Sequence, residues 1–82
     1  MSKKTTTERP DPAARAVDAL RAVSRYVDDL IAVEAGAEHL RMAETVATIL
    51  VSEVPFVSAH YRAGADVLEG IRTKIGGAAA KK

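Results

Sequence analysis

The sequence predicts an all-α protein, either a small three-helix bundle or an αα-hairpin whose second arm is broken by a proline. Apolar residues recur at three- and four-residue steps through most of the chain, which is the spacing of one helix face. Gly36 and Pro55 interrupt this pattern. The β-branched run over 45–51 would suit a buried strand, but no other segment offers that strand a partner. We therefore expect one helical domain over 11–75, with helices over about 12–35, 38–51 and 53–75.

The first helix is predicted from Asp11 and Pro12. An Asp side chain can accept a hydrogen bond from a free amide of the first turn, and Pro is tolerated at the first helical position. Gly36 is expected to end this helix. The residues over 1–10 are polar and lack periodicity, which predicts a disordered tail. The apolar face of the helix comprises Ala13, Ala16, Val17, Leu20, Val23, Val27, Leu30 and Ile31.

Pro55 sets the boundary between the second and third helices. Within a continuous helix it would remove a hydrogen bond and cost about 3 kcal/mol. We therefore expect a break near Val51, with Ser52 as the cap of the third helix and Pro55 in its first turn. A pair of glycines is expected to end the third helix near residue 75, so that 76–82 forms a flexible basic tail. The stripe predicted for the second helix comprises Leu40, Ala43, Val46, Ala47, Leu50 and Val54.

The core available to these helices is built from small side chains. The chain of 82 residues has 16 Ala and 9 Val, but one Phe, two Tyr and no Trp. Small side chains bury little apolar area, at about 25 cal/mol per Å², and a chain of this length is near the lower limit for a single core. We therefore expect oligomerisation to complete the core, through the 45–57 region and one face of the third helix. The residues of that face are Ala59, Ala63, Gly64, Leu68 and Ile71.

Charge is distributed unevenly behind a formal net charge of +1. Both ends of the chain are basic and the body is acidic, which is a poor electrostatic match for nucleic acid. An acidic strip can instead bind a protein with a basic surface. No apolar run reaches the ~18–20 residues that span a bilayer, so no membrane partner is expected. The absence of cysteine is typical of a cytoplasmic protein. The predicted strip comprises Asp28, Asp29, Glu34, Glu38 and Glu44.

The residues that commonly carry chemistry form no recognised constellation. His39 and His60 lie on different predicted helices, without the spacing of a metal site. Ser58, His60 and Asp66 could be drawn as a nucleophilic set, but no oxyanion turn accompanies them. We therefore expect no catalytic residue, no metal, no cofactor and no enzymatic activity.

One segment suggests a different function. Ala47 and, ten residues later, Val57 occupy two of the apolar positions of a helix-turn-helix unit. The segment 44–62 therefore resembles the helix-turn-helix of bacterial repressors. That resemblance implies a DNA-binding transcriptional regulator, in which Ser58 and Arg62 could read base edges.

The function that we favour is a small non-enzymatic protein-binding module that acts as a homo-oligomer. Its expected partners are a second copy of itself and another protein. A regulator, an inhibitor or an assembly adaptor would fit, as compact bacterial and phage accessory proteins often do. The DNA-binding regulator is the alternative.

Overall fold

The computed structural model describes residues 11–80, which form three α-helices and, within this range, no strand. We name them α1 (Pro12–Ala32), α2 (Ala37–Ser52) and α3 (Tyr61–Ala80). Each helix packs against the other two, which confirms the all-α prediction in its three-helix form. The tail predicted over 1–10 and the last two residues of the tail predicted over 76–82 lie outside the described residues.

The start of α1 follows the prediction. Asp11 is the N-cap residue, and its Oδ1 accepts a hydrogen bond from the Ala13 N–H at 3.0 Å. Pro12 occupies the first helical position, where it leaves no backbone donor without a partner.

The end of α1 comes before the predicted glycine. Glu34 adopts a left-handed backbone conformation with φ 58°. The Ala35 N–H donates to the Leu30 carbonyl at 2.9 Å, and the Glu34 N–H donates to the Ile31 carbonyl at 3.0 Å. These two bonds form a Schellman closure, which brings Ala35 against the core. Gly36 is instead the N-cap residue of α2, with an ordinary φ of −67°.

The break between α2 and α3 is longer than predicted. Ser52 remains in α2, where its hydroxyl donates to a carbonyl of the same helix at 2.6 Å. An eight-residue connection follows before α3 begins. In this connection the Ser58 N–H donates to the Pro55 carbonyl at 2.8 Å, and the Ser58 Oγ accepts from the His60 N–H at 3.0 Å. Ser58 therefore leads into the third helix, and the predicted start at 53 is wrong because Pro55 belongs to a turn.

The third helix continues past the glycines that were expected to end it. It runs through Gly76 and Gly77 to Ala80, and no glycine of the described residues has a positive φ. Ala has the highest helix propensity, and Ala78 packs against the core. The helix propensity of the alanines after Gly77 and the packing of Ala78 therefore outweigh the cost of having two glycines inside the helix.

The interior consists of two apolar clusters. The larger contains Leu20, Val27, Leu30, Leu40, Ala43, Ala47, Leu68 and Ile71. The smaller lies at the end of the bundle that carries the α2–α3 connection, and it contains Ala13, Ala16, Val17 and Val54. The larger cluster contains residues of all three helices, and the smaller contains residues of α1 and of the α2–α3 connection. The small side chains therefore form a core within one chain.

Candidate partner-binding surface

Several large apolar side chains are exposed on α2 and on the connection that follows it. Met42, Val46 and Ile49 of α2 are 68%, 43% and 55% exposed, and Phe56 and Val57 of the connection are 79% and 92% exposed. The Phe56 ring contacts the Tyr61 ring edge-on, with centroids 5.0 Å apart. We call these five exposed residues the apolar surface. Tyr26 of α1 and Val33, the C-cap residue that follows α1, are also exposed.

The exposed face of α2 has the residue spacing of a coiled-coil seam. Its residues follow one another at steps of three, four, three and four, and on a helix of 3.6 residues per turn they occupy a sector of about 80°. All five are exposed, whereas Leu40, Ala43 and Ala47 on the other side of α2 are buried. We call this face the α2 seam. It comprises His39, Met42, Val46 and Ile49 of α2 and Glu53, the C-cap residue that directly follows the helix.

Hydroxyl groups beside the α2 seam are bonded within their own helix. Thr45 and Thr48 each donate to the carbonyl four residues earlier, at 3.0 and 2.9 Å, and Ser52 donates to the carbonyl three residues earlier. A hydroxyl that already has a partner loses little when water is removed from it. The outer face of α2 is therefore less costly to bury than its Thr and Ser content implies.

Two members of the predicted acidic strip belong to the fold itself. The Asp28 Oδ1 lies 3.0 Å from the Lys74 Nζ, and Lys74 also donates to the Ser24 Oγ at 2.7 Å. The Glu44 Oε2 accepts from the Arg72 Nε at 3.0 Å. Both carboxylates are partly exposed, so each pair contributes little stability. They nevertheless join α1 and α2 to α3.

The other three members of the predicted strip remain on the surface. Asp29 lies near the end of α1, Glu34 in the α1–α2 turn and Glu38 in the first turn of α2. Within residues 11–80 none of the three forms an ion pair. Of the predicted strip, these three carboxylates are therefore the ones that form no ion pair within the described residues.

Most of the face predicted for oligomerisation is covered by the chain's own helices. Leu68 and Ile71 belong to the larger cluster, and Gly64 is buried against α1. Ala63 is half-buried beside the smaller cluster, and only Ala59 is exposed. A second copy cannot pack on the buried members of this face, because α1 and α2 already occupy it.

The segment 44–62 does not have helix-turn-helix geometry. Such a motif joins its helices by a turn of three or four residues, whereas α2 and α3 are eight residues apart. Ser58 is half-buried in the connection, and Arg62 is exposed in the first turn of α3. Most of the residues that should form a recognition helix are therefore not helical.

The nucleophilic set drawn from Ser58, His60 and Asp66 is not assembled. The His60 Nε2 lies 3.5 Å from the Asp11 Oδ2, and within residues 11–80 no hydrogen bond joins His60 to Asp66. The same range contains no group of three or more His, Cys, Asp or Glu residues that could hold a metal ion. None of its helices combines the length and the apolar character that crossing a membrane requires.

Two open clefts flank the bundle. One, of about 440 Å³, lies between α2 and α3 and is lined partly by Glu69 and Arg72. The other, of about 770 Å³, lies where the α1–α2 turn meets the end of α3, and is lined partly by Glu34 and Arg41. The first cleft has one acidic and one basic residue in its lining, and the second has Glu34 and Glu44 beside Arg41, so both clefts carry charges of both signs.

The comparisons with known proteins give no match. No protein-family model, no curated protein and no solved structure matches this chain. The fold and the surface define a small three-helix bundle with an exposed apolar helix face, and function is inferred from that face.

Sequence reasoning included Val46, Ile49, Phe56 and Val57 in a region expected to self-associate, but it missed Met42. It also assigned Val46 to the buried stripe, whereas Val46 lies on the exposed side of α2. The regular three-four spacing from His39 to Glu53 is the signal that could have identified the second stripe.

Proposed function

We propose that this chain is a small non-enzymatic protein-binding module that self-associates and acts through its helical surfaces. The apolar surface is the observation that supports this most directly. Small soluble proteins rarely leave several large apolar side chains together on one exposed face, and such faces commonly bind proteins. A regulator, an inhibitor or an assembly adaptor, acting in the cytoplasm, is the role proposed for this module.

The energy available from the apolar surface supports reversible association. Complete burial of a large aliphatic side chain contributes about 1.5–3 kcal/mol. Burying what remains exposed of Met42, Val46 and Ile49 would therefore contribute about 2–5 kcal/mol per chain. Association itself costs at least about 4 kcal/mol. These three residues support weak binding, and the contribution of Phe56 and Val57 would bring the affinity towards the micromolar range.

The polar groups of the bundle support a non-catalytic role. Asp11 caps α1, Ser58 bonds to the backbone at the start of α3, and Lys74 joins α3 to α1. Side chains of these three types can act in catalysis, but here each forms a hydrogen bond that stabilises the fold. The remaining carboxylates of the strip, those of Asp29, Glu34 and Glu38, support a further partner with a basic surface.

Lysine substitutions at two exposed helical positions test the proposal. Val46 on α2 and Thr73 on α3 are both β-branched and exposed, so lysine changes helix propensity similarly at each. We expect the wild type and Thr73→Lys to self-associate in sedimentation velocity, and Val46→Lys to remain monomeric. Circular dichroism should show the same helix content in all three.

Two results would contradict the proposed self-association. One is a wild-type chain that stays monomeric throughout the micromolar range. The other is a Val46→Lys variant that associates as strongly as Thr73→Lys, since a buried lysine at the centre of the apolar surface should be costly.

A further inference from the structure

We infer that the α2 seam packs against the α2 seam of a second copy, in antiparallel orientation, about a two-fold axis near Val46. The inference rests on the proposed function, because it names the partner that covers the apolar face of α2. It adds the orientation of the two helices and the polar contacts at the ends of the seam.

The positions of the seam residues are symmetric about Val46. At a rise of about 1.5 Å per residue, His39 lies ~10.5 Å before Val46 along the axis and Glu53 lies ~10.5 Å after it. A two-fold axis at Val46 therefore brings His39 level with Glu53 of the second copy. The same operation brings Met42, ~6 Å before the centre, close to the level of Ile49, ~4.5 Å after it.

Charge favours the antiparallel orientation over the parallel one. An antiparallel pair places Glu53 beside His39 of the second copy and beside the N-terminal end of its α2, where the helix dipole favours an anion. A parallel pair would instead place Glu53 beside Glu53, and like charges at matched positions are destabilising. Both ends of the seam benefit equally, because a two-fold interface repeats each contact.

The shape of the seam permits close contact between the two helices. Val46 at the centre is the smallest apolar residue of the seam, and the hydroxyl of neighbouring Thr45 is already bonded to its own helix. Glu53 keeps a helical backbone, with φ −80° and ψ −10°, so the spacing continues to the last position. The seam extends over about 21 Å, which is two heptads and suits a weak, reversible dimer.

Disulfide trapping distinguishes the two orientations. The natural chain contains no cysteine, so an introduced cysteine is its only thiol. The variants are Met42→Cys, Ile49→Cys and, as a control for random collision, Thr73→Cys on α3. Each is oxidised mildly alone, and Met42→Cys is also oxidised mixed with Ile49→Cys, with one partner carrying a tag so that the mixed disulfide is identified by mass.

The antiparallel pair predicts that the mixed disulfide forms fastest. Two copies of residue 42 would be ~12 Å apart along the axis, beyond the Cα separation of about 7 Å that a disulfide allows. We therefore expect Met42→Cys alone to cross-link slowly, near the rate of Thr73→Cys. Circular dichroism of each reduced variant confirms that it remains folded.

A charge exchange provides the second measurement. Glu53→Lys should weaken dimerisation about tenfold, because the two exposed contacts that the Glu53 carboxylates make between the copies are lost or reversed. Combining it with His39→Glu should restore dimerisation to near the wild-type level, since the exchanged charges again face each other.

The outcomes separate this inference from the proposed function. Met42→Cys cross-linking to itself as fast as in the mixture would indicate parallel packing, and would overturn the inference while the apolar surface still binds a copy. Cross-linking no faster than Thr73→Cys in every combination, with a wild-type chain that dimerises, would mean that another surface is used. A wild-type chain that never dimerises would assign the seam to a different polypeptide, and would also overturn the proposed self-association.

Discussion

Replacing Gly64 with alanine should stabilise the protein by about 1–2 kcal/mol. Gly64 lies in α3 and faces α1. A Cβ at this position would lie 3.4 Å from the Leu20 Cδ1, 3.6 Å from the Val17 Cγ2 and 3.9 Å from the Val54 Cγ2. These are ordinary contact distances between carbon atoms. Alanine gains about 1 kcal/mol over glycine in helix propensity, and burial of one methyl group adds about 0.8 kcal/mol at most.

Gly70→Ala is the matched control, because a Cβ at Gly70 would meet no heavy atom within 4 Å. It should gain about 1 kcal/mol from helix propensity alone. Urea unfolding measures both free energies, at a protein concentration low enough that association does not contribute. The difference between the two variants isolates the contact of the new methyl group with α1.

A Gly64→Ala variant less stable than the wild type, beside a stabilised Gly70→Ala, would refute this reasoning. It would mean that α1 and α3 approach more closely than these distances allow. Gly64→Leu should destabilise in either case, by about 1–3 kcal/mol, because the added atoms overpack the α1–α3 contact.

Two further predictions concern the ends of α1. Glu34→Gly should raise the free energy of unfolding by about 0.5–1 kcal/mol, because glycine removes the steric cost of the left-handed conformation but loses more chain entropy; a melting temperature that fails to rise by a few degrees would contradict this. Asp11→Ala should cost about 1 kcal/mol through loss of the N-cap bond, while Asp11→Asn should retain most of it. Equal losses in thermal unfolding would instead mean that the charge of Asp11 towards His60 matters more than its cap.

Helices were predictable from the sequence, but their ends were less so. The periodicity from Ala13 to Ile31 identifies α1 because its apolar stripe is long and regular. The end of α1 depended on the Schellman closure at Glu34, since residues other than glycine adopt that conformation only when packing supports it. The start of α3 depended on which serine bonded to the backbone, and Ser52 and Ser58 are equally suitable by residue type.

The exposed apolar face of α2 was predictable only in part, because α2 carries two apolar stripes. One passes through Leu40 and Ala47, and the other through Met42 and Ile49. Which stripe faces the core depends on how α1 and α3 are arranged around α2, and the local sequence of α2 does not contain that information. The face of α3 that contains Gly64 was wrongly assigned to oligomerisation for the same reason. A helix face of small residues can pack equally well against its own chain or against another chain.

The smaller cluster at the α2–α3 end has a consequence for motion. The buried side chains at that end are all Ala or Val, with the partly buried Tyr61 packed against them, and Val54 is the buried residue of the connection. Little apolar area must be exposed to detach the connection, so its opening requires far less free energy than unfolding of the whole bundle. Phe56 and Val57 are therefore carried on a segment that can change shape while α1, α2 and α3 stay folded, and a bound polypeptide would hold it in one conformation.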